Sequence, residues 1–425
     1  MDIAQVKTTS YKVVLPFYLY AAFSFLAAAL LLFTASPAFL AHYFQPHILA
    51  ITHTMALGWG TMIILGASHQ LVPVIIEGKL YSNALAYISF IFAAVGIPLL
   101  VYSFYIFDMG AFAKWGGRFV LLSILAYIIN LSVSISKSKN ENVHAFFVLT
   151  SAVWLFLTVS LGLSLVYNFT SFLLPQDSLH YLPLHTHIGI IGWFLLLVIG
   201  VASRLIPMFL ISKYTNTKLL WWIYFLINAA LIAYVVLFYL SGNSSFILLL
   251  TLVLLTAVVL FGYYCYRAMQ QRIRKQIDEQ VKTSLLSVAL MVVPVLLLFI
   301  IIICISMEHK EHVQLITAYG FLIFFGWLTS MILGMTFKTL PFIVWNKVYH
   351  HISSIGKTPN PKDLFSHFNY NLMSYCYLAG LVVFVSGIFL SQVLFLKLGA
   401  GLLTITAVLY NINVIKIMCH KRTLT

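Results

Sequence analysis

Charged residues are scarce in this sequence. Asp, Glu, Lys and Arg make up only 8% of its 425 residues, whereas 62% are hydrophobic. Soluble globular domains carry a charge on about a quarter of their residues, so the composition excludes an ordinary soluble protein. Acidic residues are the rarest charged type, with 10 Asp and Glu against 24 Lys and Arg. We therefore expect lipid to be the solvent for most of the chain.

Cysteine is also rare, and its spacing is uninformative. The four cysteines are Cys265, Cys304, Cys376 and Cys419. Disulfide frameworks and thiolate metal sites are recognised by paired, regular cysteine spacings, and none is present here. The sequence argues against both kinds of site and predicts four ordinary small apolar side chains.

Long apolar runs recur along the whole sequence. A helix of about 20 apolar residues crosses the hydrocarbon core of a bilayer, and the pattern predicts an all-α membrane protein with twelve such helices. The predicted spans are about 14–41, 46–75, 80–106, 114–135, 145–173, 182–211, 218–240, 245–266, 284–306, 312–338, 370–391 and 393–417. No stretch remains for a soluble domain.

A net charge of +14 can indicate nucleic-acid binding, but the positions of the charges indicate membrane orientation instead. Lys and Arg concentrate in cytoplasmic loops of membrane proteins. With twelve spans, most of the basic residues share one side if the N- and C-termini are both cytoplasmic. The basic loop 266–283 then faces anionic headgroups. We therefore predict a lipid bilayer and no nucleic acid as the partner.

One motif occurs three times at equal spacing. Gly-Trp is followed seven residues later by Gly and after a further seven by Pro, with Trp59, Trp193 and Trp327 each 134 residues apart (193 minus 59, and 327 minus 193). Four predicted helices fit each period. The sequence therefore predicts a single transmembrane domain, 1–425, of three pseudo-symmetric four-helix units, at about 1–140, 141–274 and 275–425.

Parts of this motif are explained by helix packing and membrane anchoring. Its glycines allow close approach of helix backbones in lipid. The polar residue eleven positions after each Trp, namely Gln70, Arg204 or Lys338, is typical of a side chain that reaches toward the cytoplasmic surface. Neither role requires the histidine that begins two of the copies.

His53 and His187 occupy the same position in the first two copies, six residues before the Trp. This places both about 9 Å along the axis from the Trp, at one depth in the outer leaflet. Histidine inside a membrane helix marks a functional site by default. Two imidazoles at one height on pseudo-equivalent helices match the requirement of a bis-histidine haem. The alternative is a structural histidine that bonds to a neighbouring helix.

Other histidines fit different roles. His185 lies two residues before His187, about 200° around the helix, so the two cannot easily share one metal; His185 can serve a different centre or be a structural histidine. His69 is about 24 Å deeper than His53 along the axis, and we expect it at headgroup level. The segment 307–312 mixes soft and hard metal ligands, which favours either copper capture or a simple solvated loop.

The architecture resembles the catalytic subunit of haem–copper oxidases, in which twelve helices form three arcs. Members hold a low-spin haem between a histidine of helix 2 and the second histidine of a His-x-His pair. The resemblance implies that His53 and His187 bind haem, b-type by default, with His185 beside a second haem or metal such as copper. It also implies a cytochrome c or quinol electron donor. The size and incomplete ligand set are similar to the NnrS-like family of bacterial nitrosative-stress defence, and the Gly-Trp pattern to small oxidase-subunit-one-like proteins.

The chain departs from the oxidases in its ligands. Its His-x-His pair is on helix 6 instead of helix 10, helix 7 has no histidine, and every acidic residue is predicted to lie in a loop or at a helix end. Buried carboxylates usually deliver protons across membranes. We therefore expect an inner-membrane haem protein that transfers electrons or handles nitric oxide or oxygen. The alternatives are a genuine terminal oxidase or nitric oxide reductase, and a cofactor-free transporter or assembly factor.

Overall fold

The computed structural model describes residues 9–138, 142–240, 244–308, 311–349 and 358–422. Within these ranges, twelve helices are long and apolar enough to cross a membrane, which confirms a multi-span membrane protein. They are α1 Tyr11–Leu40, α2 Pro46–Ile75, α3 Asn83–Ile106, α4 Ala111–Ser136, α5 Val143–Ser171, α6 Leu182–Leu210, α7 Thr217–Tyr239, α8 Ser245–Gln270, α9 Glu279–Glu308, α10 Val313–Tyr349, α11 His367–Leu390 and α12 Val393–Met418.

The largest boundary difference from the sequence prediction is the end of α10, which extends to Tyr349 instead of stopping near 338. The prediction ended the span where a charge appears. In the structure Lys338 forms an ion pair with Asp278, so this charge is neutralised within the protein. Lys338 is therefore paired with a carboxylate, whereas the motif predicted a side chain that reaches toward the cytoplasmic surface. Pro341 lies inside the helix without ending it.

We expect Asp278→Asn to destabilise the protein by about 1–3 kcal/mol, since it removes a charged hydrogen-bond partner from a largely covered ammonium. The Lys338 side chain is 14% exposed and Asp278 26%. Glu279→Gln is the matched control, because Glu279 and Lys282 form a pair whose side chains are both more than half exposed, and such pairs contribute about 0–1 kcal/mol. Thermal unfolding in detergent checks both values; equal losses would contradict the structural role of Lys338–Asp278.

Two helix starts are fixed in the same way. α3 follows Ser82 and α11 follows Ser366, and each serine hydroxyl accepts a hydrogen bond from a first-turn backbone N–H. A buried asparagine of the next helix then bonds to the serine backbone twice. Asn130 accepts from the Ser82 N–H and donates to its carbonyl, both at 2.9 Å, and Asn413 does the same to Ser366 at 3.0 and 3.2 Å.

The described chain forms two compact units. Unit 1 consists of the described residues of Met1–Thr9, Ser68–Ile277 and Val288–His312, and unit 2 of Ser10–Ala67, Asp278–Ser287 and Val313–Thr425. Within unit 1, α3 packs on α4, α4 on α5, α5 on α6, and α7 on α8. Within unit 2, α1 packs on α12 and on the middle of α2, and α11 packs on α12.

Glycines allow two pairs of helices to approach closely, as expected for helices in lipid. In unit 1 a Cβ added to Gly116 of α4 would lie 2.7 Å from the backbone nitrogen of Leu100 on α3. In unit 2 a Cβ added to Gly399 of α12 would lie 2.6 Å from the backbone nitrogen of Phe384 on α11. No side chain fits at either crossing, so the backbones themselves are in contact.

The three helices that carry the Gly-Trp motif are the most covered of the twelve. In α2, α6 and α10, 72%, 78% and 78% of an apolar 18-residue stretch is buried, against at most 56% in any other span. A membrane helix that faces lipid needs no such cover. Protein therefore covers each of the three motif helices more completely than any other span.

Candidate functional site

Each copy of the Gly-Trp motif lies in a π-helical segment. The three segments are Thr54–Thr61, Ile188–Leu195 and Leu322–Leu328. π-helical turns are rare and frequently lie at functional sites. The sequence analysis did not predict them. The only available signal was a bulky Trp beside Gly within an apolar helix.

His53 and His187 each end the α-helical stretch immediately before a π-helical segment. Their backbones agree closely, with φ −74° and ψ −30° at His53 and φ −74° and ψ −32° at His187. In the third copy the same position is Phe321. The sequence prediction that the two histidines are equivalent is therefore matched by their local backbone.

The two imidazole rings make the same hydrogen bond. The Nδ1 atom of His53 lies 2.8 Å from the Leu49 carbonyl oxygen, and that of His187 lies 2.7 Å from the Pro183 carbonyl oxygen. Helical side chains lean toward the N-terminus, so each ring reaches the carbonyl four residues earlier. A carbonyl oxygen only accepts, so Nδ1 carries the proton and the lone pair lies on Nε2.

This donor arrangement fits a haem iron. Metal-bound histidines usually bind through one nitrogen and donate the other N–H to a carbonyl, which fixes the tautomer and raises ligand basicity. Both rings are partly covered and lie in spans that are otherwise largely buried. His53 belongs to unit 2 and His187 to unit 1. Their binding of one haem therefore stays a prediction.

His185 has a different environment from His187. Its Nδ1 atom lies 3.1 Å from the carbonyl oxygen of Thr158 on α5, and its ring fills the space beside Gly162. The His187 ring instead lies edge-on to Tyr234 of α7, with ring centroids 5.5 Å apart. The two side chains contact different helices, as their spacing on α6 predicted. Cofactor binding by His185 stays a prediction.

The third motif copy replaces the histidine with an aromatic cluster. Phe321 stacks on Phe384 with ring centroids 4.2 Å apart and on Phe325 at 5.0 Å. Phe39 meets Phe321 edge-on at 6.3 Å. Within unit 2 this position is therefore an apolar packing site, and it offers no ligand atom.

Trp59 joins two π-helical segments within unit 2. Its Nε1 donates to the Thr329 hydroxyl at 3.1 Å, and that hydroxyl donates to the Phe324 carbonyl at 2.7 Å. The indole also stacks on Phe25 of α1, with ring centroids 4.6 Å apart. The buried Trp59 indole N–H therefore has a hydrogen-bond partner next to the π-helical segment of α10. This bond holds the middle of α2 against α10.

Two further histidines lie in unit 1 away from the motif position. His69 is only 1% exposed and packs edge-on to Tyr127 at 5.6 Å, so protein covers its side chain, while its depth at headgroup level stays a prediction. Aromatic cover removes it from water. His144, which the sequence gave no reason to single out, places Nδ1 3.1 Å from the Gly200 carbonyl and 3.0 Å from the Ser203 hydroxyl.

Acidic side chains are placed as predicted. Among the described residues each lies in a connection or at a helix end: Glu77, Asp108, Asp177, Asp278, Glu279, Glu308, Glu311 and Asp363. Asp2 and Glu141 lie outside the described residues. The described spans thus hold no mid-membrane carboxylate, which is the group that proton delivery to a buried redox centre usually needs.

Comparison with known proteins assigns no family to the chain. No protein-family model matches the chain, and no curated protein matches it.

Proposed function

We propose that this chain is a haem-binding membrane protein in which His53 and His187 are axial ligands. One observation carries the proposal: the two residues share a backbone conformation, a carbonyl hydrogen bond through Nδ1, and a position directly before a π-helical segment. Chance placement of two structural histidines does not require this agreement. The resemblance to haem–copper oxidase subunit I and to NnrS-like proteins supports the same function.

The protein's contribution is to hold and orient the ligands. The carbonyls of Leu49 and Pro183 keep each ring in the tautomer with its lone pair on Nε2. Apolar surroundings keep bulk water away from these groups and so influence the potential of bound iron. A haem bound by both histidines would supply one-electron transfer, whereas binding of a diatomic gas such as nitric oxide or oxygen would need the open iron position of a second haem beside His185.

The finer architecture belongs to the same proposal. We propose three four-helix units, cytoplasmic termini, a location in the bacterial inner membrane, and an electron donor of the cytochrome c or quinol type. A π-helical segment in every motif copy and the matching Ser–Asn arrangements of Ser82–Asn130 and Ser366–Asn413 support the internal repeat. From the resemblance to haem–copper oxidase subunit I, we also propose a second haem or a copper ion beside His185.

Spectroscopy of the purified protein tests haem binding. We expect a Soret band, sharp low-spin bands in the reduced-minus-oxidised spectrum, and a pyridine haemochrome of b type, because two histidine ligands give six-coordinate iron. Carbon monoxide should bind weakly or not at all to such iron. Strong binding of carbon monoxide without low-spin bands would contradict axial ligation by both histidines and favour a terminal oxidase or nitric oxide reductase.

One observation favours a cofactor-free transporter or assembly factor. His185 bonds to the backbone of a neighbouring helix, which is the structural role that the alternative assigns to all three histidines. That protein would show no Soret absorbance even when it is produced in haem-replete cells. The same preparation therefore separates the two functions.

A further inference from the structure

Three different metal-binding side chains converge in unit 1 near the end of α9. The Cys304 sulfur, a Glu308 carboxylate oxygen and a His312 ring nitrogen all lie within 4.8 Å of one another. Cys304 and Glu308 are four residues apart and so lie on one face of the helix. His312 follows α9, and its Nε2 lies 2.8 Å from Glu308 Oε2.

This donor set has a defined chemical preference. Sulfur, imidazole nitrogen and carboxylate oxygen are the three ligand types of Zn²⁺, which binds them at about 2.0–2.3 Å in a tetrahedron. Ligand atoms at tetrahedral corners are then about 3.3–3.8 Å apart. The three donor atoms lie within 4.8 Å of one another, so small side-chain rotations bring them to these distances, and the Glu308–His312 bond holds two of the three groups together without a metal.

We propose that Cys304, Glu308 and His312 bind a thiophilic divalent cation of the Zn²⁺ type, with water as the fourth ligand. Binding releases the thiol proton to solvent and forms a metal–sulfur bond. The proton that His312 Nε2 donates to Glu308 moves to Nδ1, which frees the Nε2 lone pair for the metal, and no oxidation state changes. The site uses none of the residues proposed to bind haem, so it stands independently of that function. It also revises the expectation that all four cysteines are only small apolar residues.

The exposure and the charge of the three side chains are suitable for binding a metal ion. Cys304 is partly exposed, and the Glu308 and His312 side chains are 54% and 39% exposed, so an ion can reach the donors from solvent. The chain's other cysteines, Cys265, Cys376 and Cys419, belong to no such cluster among the described residues. A carboxylate and a thiolate together neutralise a divalent cation, which lowers the cost of desolvating it.

Cobalt is a direct probe of this site. Chelator-treated full-length protein in detergent should bind one equivalent of Co²⁺ and show a thiolate-to-cobalt charge-transfer band, which added Zn²⁺ removes. Subtracting the Zn²⁺-treated spectrum cancels any haem absorbance. Cys304→Ser should abolish the band, and His312→Ala should weaken Co²⁺ binding by at least about tenfold through loss of a ligand.

Matched variants decide whether the band belongs to this site. Cys376→Ser removes another partly buried helical cysteine, and His42→Ala removes another loop histidine; both should keep the band and the affinity. A wild-type protein without the band, or a Cys304→Ser protein that retains it, would overturn the proposal. If Cys304→Ser fails to fold, the Co²⁺ affinity of His312→Ala becomes the deciding measurement, because an unchanged value equally overturns the site.

Discussion

Replacement of His53 or of His187 by alanine is expected to remove the low-spin haem bands from the reduced-minus-oxidised spectrum, and each single variant should suffice. Six-coordinate low-spin iron needs both axial nitrogens, so either loss leaves a five-coordinate or haem-free protein. Because each ring is held by its own helix carbonyl, the backbone of α2 or α6 has no reason to rearrange. Visible spectra of purified variants at matched protein concentration measure the effect.

His144→Ala is the matched control for these variants. Like the two proposed ligands, His144 lies in a membrane helix and places Nδ1 near a backbone carbonyl, but it is outside the Gly-Trp motif. Its variant should keep the low-spin bands. Imidazole added to His53→Ala or His187→Ala should restore them by occupying the vacated position. Bands that persist in either motif variant, or that vanish equally in His144→Ala, would show that other residues bind the haem.

Gly192→Ala is expected to cause a large loss of stability, because this glycine of α6 lies against side chains of two neighbouring helices. A Cβ at this position would lie 2.6 Å from Trp154 Cβ and Cγ on α5 and 3.0 Å from Leu231 Cδ2 on α7. Neither side can yield easily, since Leu231 is buried and the Trp154 indole N–H donates to Asn228 at 3.0 Å. Overpacking of this kind costs about 1–3 kcal/mol, occasionally more.

Thermal unfolding in detergent measures this loss, and two other helical glycines provide the control. A Cβ on Gly262 of α8 or Gly320 of α10 would meet nothing within 4 Å. Alanine is the better helix former by about 1 kcal/mol, so Gly262→Ala and Gly320→Ala should be neutral or slightly stabilising. A Gly192→Ala protein as stable as these controls would show that α5, α6 and α7 are not packed as closely as described. Haem content should fall with stability, because His187 immediately precedes the same π-helical segment.

Helix number and acid placement were accessible to sequence reasoning because they depend on local chemistry. An apolar run of sufficient length must span a bilayer as a helix, since its backbone polar groups have no water to bond. The predicted end of α10 was wrong because the sequence shows the charge of Lys338 but not its partner: in the fold, Asp278 neutralises this charge. The burial of His69 was not predicted, because the aromatic ring that covers it, Tyr127, comes from another helix.

By itself, the sequence determined that this is a twelve-span membrane chain with histidines at matched positions in two of three motif copies, because apolar length and residue spacing are properties of the chain alone. Only the tertiary structure decided that each motif lies in a π-helical turn, that His185 bonds to α5, and that Cys304 meets Glu308 and His312. Side-chain convergence depends on helix rotation and on how the connections end. The His185 bond is set by packing of α5 on α6, which no single run of residues encodes. The Cys304 cluster instead depends on where α9 ends, since His312 lies beyond its last residue.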